Sequence, residues 1–326
     1  MKAIVYSKYG PPDVLEVKEV EKPAPKDNEV LIKVHAASVN ASDWEFLTAT
    51  PSYVRIWGPL KPKFNILGSD IAGRIEAVGR NVKQFQPGDE VFGDILYSKG
   101  GFAEYVCAPE NALVLKPANM TFEEVAALPQ AGVVALQGLR DKGKIQAGQK
   151  VLINGAGGGA GTFAIQIAKS FGAEVTGVDS TEKLETMRSL GTDQVIDYTQ
   201  EDFTQNRQRY DLILDLVAYR SIFDCKRALA PKGIYVLVGG SMARILQSVF
   251  LGAWISMTGR KKMGVLAWKA SRSDLVLMTE LYEAGKVVPV IDRRYPLSEV
   301  PEALRHLGEG HAKGKVVITV EHNSKS

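Results

Sequence analysis

The pattern of hydrophobic and polar positions changes near Met120. Before this residue, short runs of alternating apolar and polar residues are separated by turn-forming segments rich in Pro, Gly and Asp. This pattern predicts β-strands joined by turns. These runs are KAIVYSK, LEVKEVEK, EVLIKVHAASVN, AGRIEAVGR and FAEYVCA. The N-terminal segment is therefore expected to be mostly β-structure.

From Thr121 onward, apolar strand-like runs alternate with segments of helical periodicity. The apolar runs are KVLING, EVTGVD, QVIDY, DLILDLV, GIYVLVG and KMGVLAW. Strands that alternate with helices form a parallel sheet, because a parallel connection needs a crossover, and the helices then cover both faces of the sheet. This half of the chain therefore predicts an α/β fold with a doubly wound parallel sheet.

After the last of these runs, the sequence again shows a pattern typical of short strands. Amphipathic helices are expected over residues 274–284 and 300–307, and the run GKVVITV predicts a final strand. Short strands at both ends of the chain indicate one β domain that the α/β unit interrupts. The predicted organisation is a β domain of residues 1–120 plus 269–326, with an α/β domain of residues 121–268 inserted into it.

The composition narrows the class of protein. The chain has 326 residues, which suggests two domains because a single domain usually has about 100–200. Apolar residues make up 45% and charged residues 24%, as is typical of a globular protein. A net charge of +3 and the lack of basic blocks argue against nucleic acid as a partner. The stretch MKAIVYSKYG has no apolar core of signal-peptide length, so a cytoplasmic protein is expected.

No membrane span is expected either. The longest apolar segment, residues 245–257, includes polar residues and is shorter than the ~20 residues that a spanning helix needs. Packing of this segment in the core is the favoured interpretation. The alternatives are that Phe250, Leu251 and Trp254 line a substrate entrance or a subunit interface.

The segment KVLINGAGGGAG places a glycine-rich turn between an apolar strand and a periodic helix. Five of the seven residues from Gly155 to Gly161 are glycine, so few side chains shield the backbone from an approaching group. Gly155 would allow a tight turn, Gly158 would let a pyrophosphate touch the backbone, and Gly161 would let helix pack on strand. The helix N-terminus then offers free N–H groups to phosphates, and an acid, Asp179, ends the next strand. The turn predicts dinucleotide binding, in which Gly157, Gly159 and Ala160 also take part.

These residues resemble the medium-chain dehydrogenase/reductase superfamily, and within it the zinc-independent quinone oxidoreductase or zeta-crystallin branch. The signature of that branch is matched by Gly148, Gln149, Leu152, Ala156, Gly157, Gly158, Gly159, Gly161, Gln166 and Lys169. Further landmarks in family order are PGDEVFG, GGFAEYV, AALPQAGVVALQGL and GKVVITV, so the resemblance covers almost the whole chain. It implies a GroES-like β domain with substrate contacts, a Rossmann domain that binds a nicotinamide cofactor, and a cleft between them.

The same resemblance shows which metal ligands are missing. Zinc alcohol dehydrogenases of the superfamily hold their catalytic metal with a Cys, a Gly-His-Glu element and a second Cys. This chain has Asn40, the sequence LGSD at residues 67–70, and Ala131 near the third position. None of these supplies a thiolate or imidazole, and a lobe with four closely spaced cysteines is absent from the sequence. We therefore expect no zinc, because a tetrahedral site needs three or four such ligands.

Two residues of the β domain are candidates for catalysis. Asn40 ends a strand where zinc-free relatives carry an Asn that faces the nicotinamide, and the alternative is a turn-forming Asn. Tyr53 lies roughly where related enoyl reductases place a proton-donating Tyr, and the alternative is an aromatic residue that lines the cleft. Asp43 or Ser42 is expected to be the N-cap of the following short helix.

The choice between NAD and NADP rests on residues with opposite implications. Asp179 favours NAD, because an acid at this position accepts hydrogen bonds from the ribose 2′-OH and repels a 2′-phosphate. Ser180, Lys183 and Tyr198 resemble the set with which NADPH-using relatives hold the 2′-phosphate, although a solvated Lys and a strand-end Tyr are alternatives. NADP(H) is favoured and NAD(H) is the alternative. Further cofactor contacts are expected from Val217, Gly239 and Lys315.

The function that the resemblance implies is a zinc-independent NAD(P)H-dependent oxidoreductase that transfers hydride to a quinone or an α,β-unsaturated carbonyl compound. Protonation of the product would come from solvent or from Tyr53. The alternatives are a zinc-free alcohol dehydrogenase and a cofactor-binding sensor or structural protein with little turnover. The expected partner is a small-molecule quinone or enone, and a homodimer is one open alternative for the oligomeric state.

Overall fold

The computed structural model describes residues 1–322, in which a mainly β N-terminal region is followed by a region where strands and helices alternate. The strands, in chain order, are β1 (Lys2–Val5), β2 (Glu16–Glu19), β3 (Glu29–Val39), β4 (Asp70–Val78), β5 (Glu90–Asp94), β6 (Tyr105–Pro109), β7 (Leu113–Leu115), β8 (Lys150–Asn154), β9 (Glu174–Asp179), β10 (Gln194–Asp197), β11 (Tyr210–Asp215), β12 (Leu229–Leu237), β13 (Lys262–Val265), β14 (Ile291–Pro296) and β15 (Lys315–Thr319). The α-helices are α1 (Ala41–Thr48), α2 (Phe122–Ala126), α3 (Pro129–Leu136), α4 (Gly159–Ser170), α5 (Leu184–Ser189), α6 (Ile222–Ala228), α7 (Met242–Thr258), α8 (Arg272–Glu283) and α9 (Val300–Gly308).

The chain divides into two compact units. The first comprises Met1–Ala131, Ala270–Thr279 and the residues from Ile291 onward, and the second comprises Gly132–Lys269 and Glu280–Val290. Compared with the domains expected from sequence, residues 121–131 lie in the first unit and residues 280–290 in the second.

A seven-stranded sheet forms the centre of the first unit. Its order is β14-β15-β3-β4-β5-β7, and β6 also pairs with β3. All pairs are antiparallel except β14 with β15. Side chains such as Ile32, Val34, Ile71 and Phe102 are fully buried and form part of its core. The long strand β3 is therefore the centre of this unit, because β15, β4 and β6 all pair with it.

A six-stranded parallel sheet forms the centre of the second unit, in the order β10-β9-β8-β11-β12-β13. Four of the five residues of β8 are buried, as expected for a central strand that is covered on both faces. All six strands predicted for this region are present. The strand order reverses between β8 and β11, so the carboxyl ends of these strands are the expected ligand-binding edge.

The differences from the sequence prediction have local causes. Strands β5 and β7 were not predicted, and β7 has only three residues, too few for an alternating pattern to be visible. Core packing of the apolar segment within α7 was the favoured interpretation, and it is wrong for five large apolar side chains, those of Leu246, Val249, Phe250, Trp254 and Met257. Phe250 is 69% exposed and Trp254 is 57% exposed. Within residues 1–322, none of the helices is long and apolar enough to cross a membrane.

Candidate cofactor and active site

The glycine-rich turn joins β8 to α4. Gly155 has φ +87°, a left-handed conformation that a side chain would strain. A Cβ atom on Gly161 would lie only 2.1 Å from the carbonyl oxygen of Gly155, so the first turn of α4 packs directly on the loop. Gly158 is the N-cap of α4, which begins at Gly159. Gly155 therefore has the conformation of a tight turn, Gly161 allows α4 to pack closely on that turn, and Ala160 lies in the same helical turn.

The carboxylate of Asp179 is directed at this turn. Its Oδ2 accepts a hydrogen bond from the backbone N–H of Gly157 at 2.9 Å, and its Oδ1 accepts one from Ser180 at 2.9 Å. The parallel register pairs Asn154 with Val178, which brings the end of β9 beside the turn. Asp179 is 7% exposed. Its two backbone hydrogen bonds therefore hold the glycine turn and the start of the next loop in place.

Lys183 and Tyr198 lie beside the same carboxylate. The ammonium of Lys183 is 3.4 Å from Oδ1 of Asp179, and a Cβ on Gly157 would lie 2.6 Å from the Cβ of Lys183. The lysine stem therefore packs on the glycine turn. Tyr198 is half exposed, and its backbone N–H donates to the carbonyl of Asp179 at 3.1 Å. The choice of cofactor was predicted to depend on four residues, Asp179, Ser180, Lys183 and Tyr198. The structure brings all four together.

Val217 and Gly239 follow the carboxyl ends of β11 and β12. The backbone N–H of Val217 donates to Oδ1 of Asp215 at 3.3 Å. Asp215 is fully buried and also accepts from the Asn154 amide at 2.8 Å and from the Tyr235 hydroxyl at 2.9 Å. Burial raises the pKa of Asp215. The sequence analysis missed this network, although polar residues that end apolar strands at the ligand-binding edge were a visible signal.

Asn40 and Lys315 meet in the first unit. The antiparallel register pairs Val316 with Val39, so the preceding Lys315 and the following Asn40 become neighbours. The ammonium of Lys315 donates to Oδ1 of Asn40 at 2.6 Å and to the carbonyl of Val39 at 3.2 Å, and it is 3.7 Å from Asp70. Lys315 was expected to contact the cofactor. Its side chain is 2% exposed, and the ammonium contacts found are those within the first unit.

The sheet register also aligns a row of polar residues. Asp94 on β5 pairs with Asp70 on β4, and Asp70 pairs with Ser38 on β3. Asp70 accepts hydrogen bonds from the Ser38 hydroxyl at 3.3 Å and from the backbone N–H of Gln130 at 3.2 Å. Burial raises the pKa of Asp70 and lowers that of Lys315, and attraction between the two charges opposes both shifts. The register therefore creates a buried polar cluster that local sequence patterns did not reveal.

Asp43 and Lys99 form a second ion pair in this cluster. Their nitrogen and oxygen atoms are 3.1 Å apart, and both side chains are 0% exposed. Asp43 also accepts hydrogen bonds from the backbone N–H groups of Gly68 at 3.1 Å and Asn40 at 3.0 Å. The N-cap of α1 is Asn40, so the prediction that Asp43 or Ser42 caps this helix was wrong. Asp43 instead lies in the first turn of the helix, where its carboxylate accepts from the N-cap backbone of Asn40 and neutralises a buried lysine.

Two buried polar atoms in the cluster have no hydrogen-bond partner among the described residues. They are Oδ2 of Asp94 and Nε2 of Gln130. Burial raises the pKa of Asp94 to about 8, and the nearby carboxylate of Asp70 adds to this effect. The Asp94 side chain is therefore protonated more readily than an exposed carboxylate.

The residues of this cluster do not fit a catalytic zinc. Among residues 1–322, no group of three or more His, Cys, Asp and Glu side chains is arranged to hold a metal ion. At the positions where the resemblance places zinc ligands, the ammonium of Lys315 lies against Asn40 and near Asp70. A buried cation beside an amide and a carboxylate repels a divalent metal and supplies none of the thiolate or imidazole ligands that zinc requires.

Tyr53 lies in a short 3₁₀ segment (Ser52–Trp57) that follows α1. Its hydroxyl donates to Oε2 of Glu45 at 3.4 Å, and its side chain is 39% exposed. Burial raises the pKa of Glu45 to about 7 and that of Tyr53 to about 12. Glu45 was not singled out in the sequence, because a lone acid on a short helix usually indicates an exposed face.

Comparisons with known protein families agree with a β domain combined with a dinucleotide-binding α/β domain. The family model for the alcohol dehydrogenase GroES-like domain matches residues 26–118, and the zinc-binding dehydrogenase model matches residues 190–318. The model for the alanine dehydrogenase/PNT C-terminal domain matches residues 133–218. The predicted fold class, a Rossmann domain combined with a GroES-like β domain, is confirmed.

Individual relatives align over nearly the whole chain. A 2-methylene-furan-3-one reductase of Solanum lycopersicum is 35% identical over 98% of this chain and 79% of its own length. The chloroplastic NADPH-dependent alkenal/one oxidoreductase of Arabidopsis thaliana is 34% identical over the same shares of the two chains, 98% and 79%. The solved structure of a quinone oxidoreductase from Coxiella burnetii superimposes with a TM-score of 0.87 at 29% identity, covering 98% of this chain and 99% of that one. The protein therefore belongs to the medium-chain dehydrogenase/reductase superfamily, in its quinone oxidoreductase branch.

Proposed function

We propose that the protein is a zinc-independent, NADPH-dependent reductase of quinones or α,β-unsaturated carbonyl compounds. The observation that carries this proposal is the glycine turn with Asp179, Ser180, Lys183 and Tyr198 gathered around it. The names of the relatives, which refer to enone, alkenal and quinone chemistry, support the substrate class. The nicotinamide cofactor, when bound, supplies the hydride.

The proposed contribution of the second unit is to bind and orient the cofactor. The free N–H groups of the glycine turn and the start of α4 would hold the pyrophosphate, because a helix N-terminus attracts anions. Lys183 would pair with the ribose 2′-phosphate in place of its present partner Asp179, 3.4 Å away. Val217 and Gly239, next to the carboxyl ends of β11 and β12, would line the same edge of the sheet.

The proposed contribution of the first unit is to stabilise negative charge on the acceptor's carbonyl oxygen. An ammonium group can only donate hydrogen bonds, so Lys315 fixes Oδ1 of Asn40 as the acceptor and leaves the Nδ2 hydrogens for another partner. The present partners of Nδ2 are the Ser69 hydroxyl at 3.5 Å, a long and weak contact, and the carboxylate of Asp70, whose pKa a hydrogen bond from Asn40 lowers. Asn40 would therefore be a pre-oriented donor to developing charge.

Replacing Asn40 with alanine is expected to reduce kcat about tenfold, about 1.4 kcal/mol of transition-state stabilisation, with little change in cofactor affinity. Steady-state kinetics with an accepted enone and a fluorescence titration of the cofactor measure the two quantities. Asn40→Asp is the matched control, because it keeps an oxygen for Lys315 but loses the amide donor. Activity within about twofold of wild type in both variants would exclude the donor role.

The proton that completes the reduction is assigned either to solvent or to Tyr53. The Tyr53 hydroxyl is partly exposed and hydrogen-bonded to Glu45, whose raised pKa of about 7 suits the exchange of a proton near neutral pH. Solvent remains the alternative source, because the hydrogen bond of 3.4 Å is long.

Purified protein is expected to contain much less than one zinc per chain and to keep its reductase activity in a strong chelator. The reason is that the buried cluster has no thiolate or imidazole ligand, and its carboxylates Asp43 and Asp70 already lie beside lysine ammonium groups. Metal analysis by mass spectrometry and an activity assay with chelator test this. One tightly held zinc per chain, or activity that chelation abolishes and zinc restores, would contradict the proposal.

Two other functions remain as alternatives that simple assays separate. A zinc-free alcohol dehydrogenase would reduce NAD(P)⁺ in the presence of an alcohol, whereas a cofactor-binding sensor would show binding without turnover. Oxidation of NADPH with quinones and with enones of several sizes distinguishes both from the proposed reductase. The cytoplasmic location stays a prediction, because one of the relatives is named as chloroplastic.

A further inference from the structure

The buried polar cluster of the first unit contains one more acid than base. Its charged members are Asp43, Asp70, Asp94, Lys99 and Lys315, and none of them is more than 6% exposed. Lys99 pairs with Asp43 at 3.1 Å, and the ammonium of Lys315 lies 3.7 Å from Asp70. Within the part of the chain that the structure describes, Asp94 is therefore the acid of this cluster that no lysine pairs with.

Asp94 faces another carboxyl group across the sheet. The antiparallel register places Asp94 of β5 directly opposite Asp70 of β4, and side chains at such positions lie on the same face of the sheet. Oδ1 of Asp94 accepts a hydrogen bond from the backbone N–H of Leu96 at 2.8 Å, whereas Oδ2 is buried without a partner among residues 1–322. Burying an unpaired charge costs far more free energy than burying a neutral polar group.

The charged groups that act on Asp94 come from four parts of the first unit. They are Asp70 of β4, Asp43 of α1, Lys99 from the loop after β5, and Lys315 of β15. Burial is the main cause that raises the pKa of Asp94, and the Asp70 carboxylate adds to it. Two carboxyl groups that share a buried site do not both ionise readily, and they lose their protons as a pair. The pair of Asp70 and Asp94 therefore favours one negative charge over two.

The ammonium of Lys315 connects this pair to Asn40. It donates to Oδ1 of Asn40 at 2.6 Å and lies 3.7 Å from Oδ2 of Asp70, so Asn40 is the nearer of the two partners. A single negative charge on the pair is compatible with both contacts. A second negative charge, on Asp94, would draw the ammonium toward the carboxylates and away from Asn40, because attraction between charges is strong where water is excluded.

We propose that Asp94 is a positioning residue for Asn40, because its protonated form leaves Lys315 on the Asn40 amide and loss of that proton to solvent releases the amide. The O–H bond of Asp94 is the only covalent bond that changes. Asn40 then loses the contact that fixes its Oδ1 as acceptor and directs its Nδ2 hydrogens toward developing charge. The link to turnover rests on the proposed function, whereas the proton on Asp94 and its effect on Asn40 do not.

The first test follows two kinds of NMR signal while the pH of the full chain is raised. In protein with isotope-labelled aspartate, we expect one carboxyl signal to titrate about two or more pH units above the ~3.9 of an exposed aspartate, and Asp94→Asn should lack this titration. In protein with isotope-labelled asparagine, the side-chain amide signal of Asn40 is identified by its loss in Asn40→Asp. It should move with the same midpoint in wild type and stay constant in Asp94→Asn.

The second test compares the pH dependence of kcat for wild type and Asp94→Asn with an accepted enone. An amide at this position resembles the protonated carboxyl group in size but has no proton to lose. Above the midpoint, the wild-type kcat should fall by up to about tenfold, the effect expected for loss of the Asn40 donor, with little change in KM for the cofactor. Asp94→Asn should lack this fall, and a purely structural role for Asp94 would not change the pH profile.

Asp27→Asn is the matched control, because it makes the same chemical change at an aspartate of the same unit whose side chain is 48% exposed. Both the Asn40 titration and the kcat profile should remain as in wild type. Three results would overturn the proposal. They are wild-type aspartate signals that all titrate within about one pH unit of the exposed value, an Asn40 signal that is constant in wild type or moves equally in Asp94→Asn, and equal kcat profiles for the two proteins.

The first of these results is measured on wild type alone, so it decides the matter even if Asp94→Asn does not fold. Failure of the proposed function has a different signature. A wild-type chain that shows both NMR titrations but reduces neither quinones nor enones would contradict the proposed function, while supporting the control of Asn40 by Asp94.

Discussion

Replacing Asp43 with alanine is expected to lower the free energy of unfolding by about 3–5 kcal/mol, because it leaves a buried ammonium without its counter-charge. Asp43 and Lys99 are both 0% exposed and 3.1 Å apart. The same carboxylate accepts two backbone hydrogen bonds, from Gly68 and Asn40. The variant therefore loses the ion pair and also leaves two donors in a buried region. Denaturant unfolding monitored by circular dichroism measures the difference.

An exposed ion pair in the same unit provides the control. Arg80 and Asp27 are 2.7 Å apart, with side chains 80% and 48% exposed, so Asp27→Ala should cost less than about 1 kcal/mol. Combining Asp43→Ala with Lys99→Met should recover part of the lost stability, since the unpaired charge is then absent. A cost for Asp43→Ala as small as that for Asp27→Ala would mean that water reaches the pair.

Replacing Lys183 with alanine is expected to weaken NADPH binding about 10- to 100-fold and NADH binding much less, because only NADPH carries the 2′-phosphate. In the structure the ammonium is 3.4 Å from Asp179 and lies beside the glycine turn, close to the position proposed for the ribose. Asp179 is held by two backbone hydrogen bonds, so the lysine is the more mobile member of the pair. Titration of both cofactors into wild type and variant measures the effect.

Lys169→Ala is the matched control for this experiment. Lys169 lies on α4 in the same unit, and its ammonium is 2.7 Å from Asp193. Its replacement should change the affinity for NADPH and NADH by less than about twofold, because a partly exposed ion pair contributes little. Tighter binding of NADH by the wild type, or equal losses of both cofactors in Lys183→Ala, would reverse the assignment of cofactor.

The sequence predicted the cofactor turn because its signal is local. Gly155, Gly161 and Asp179 lie within one strand-turn-helix-strand unit, and each has a defined role in that geometry. The buried polar cluster depends on long-range register. Asp70 and Asp94 become neighbours only after β4 and β5 pair.

Hydrophobicity alone also fails to show which side of a helix is covered. The sequence of α7 is apolar enough for a core helix, and only the structure places Phe250 and Trp254 on its outer side. For Lys315, too, the sequence did not show whether the side chain is buried. Its position in the last strand gave no sign that its ammonium would be buried against Asn40.

During synthesis, β3 leaves the ribosome long before its partner β15. The contact from Lys315 to Val39 spans 276 positions in sequence, a delay of about 14–55 s at ~5–20 residues per second. Strands β4 and β6 pair with β3 early, but the edge that receives β15 stays open, and an open edge invites wrong pairing. The second unit, mostly the continuous stretch Gly132–Lys269, can fold during this interval. The ammonium that orients Asn40 therefore arrives last, so a prematurely terminated chain would lack this contact and expose a strand edge to chaperones and proteases.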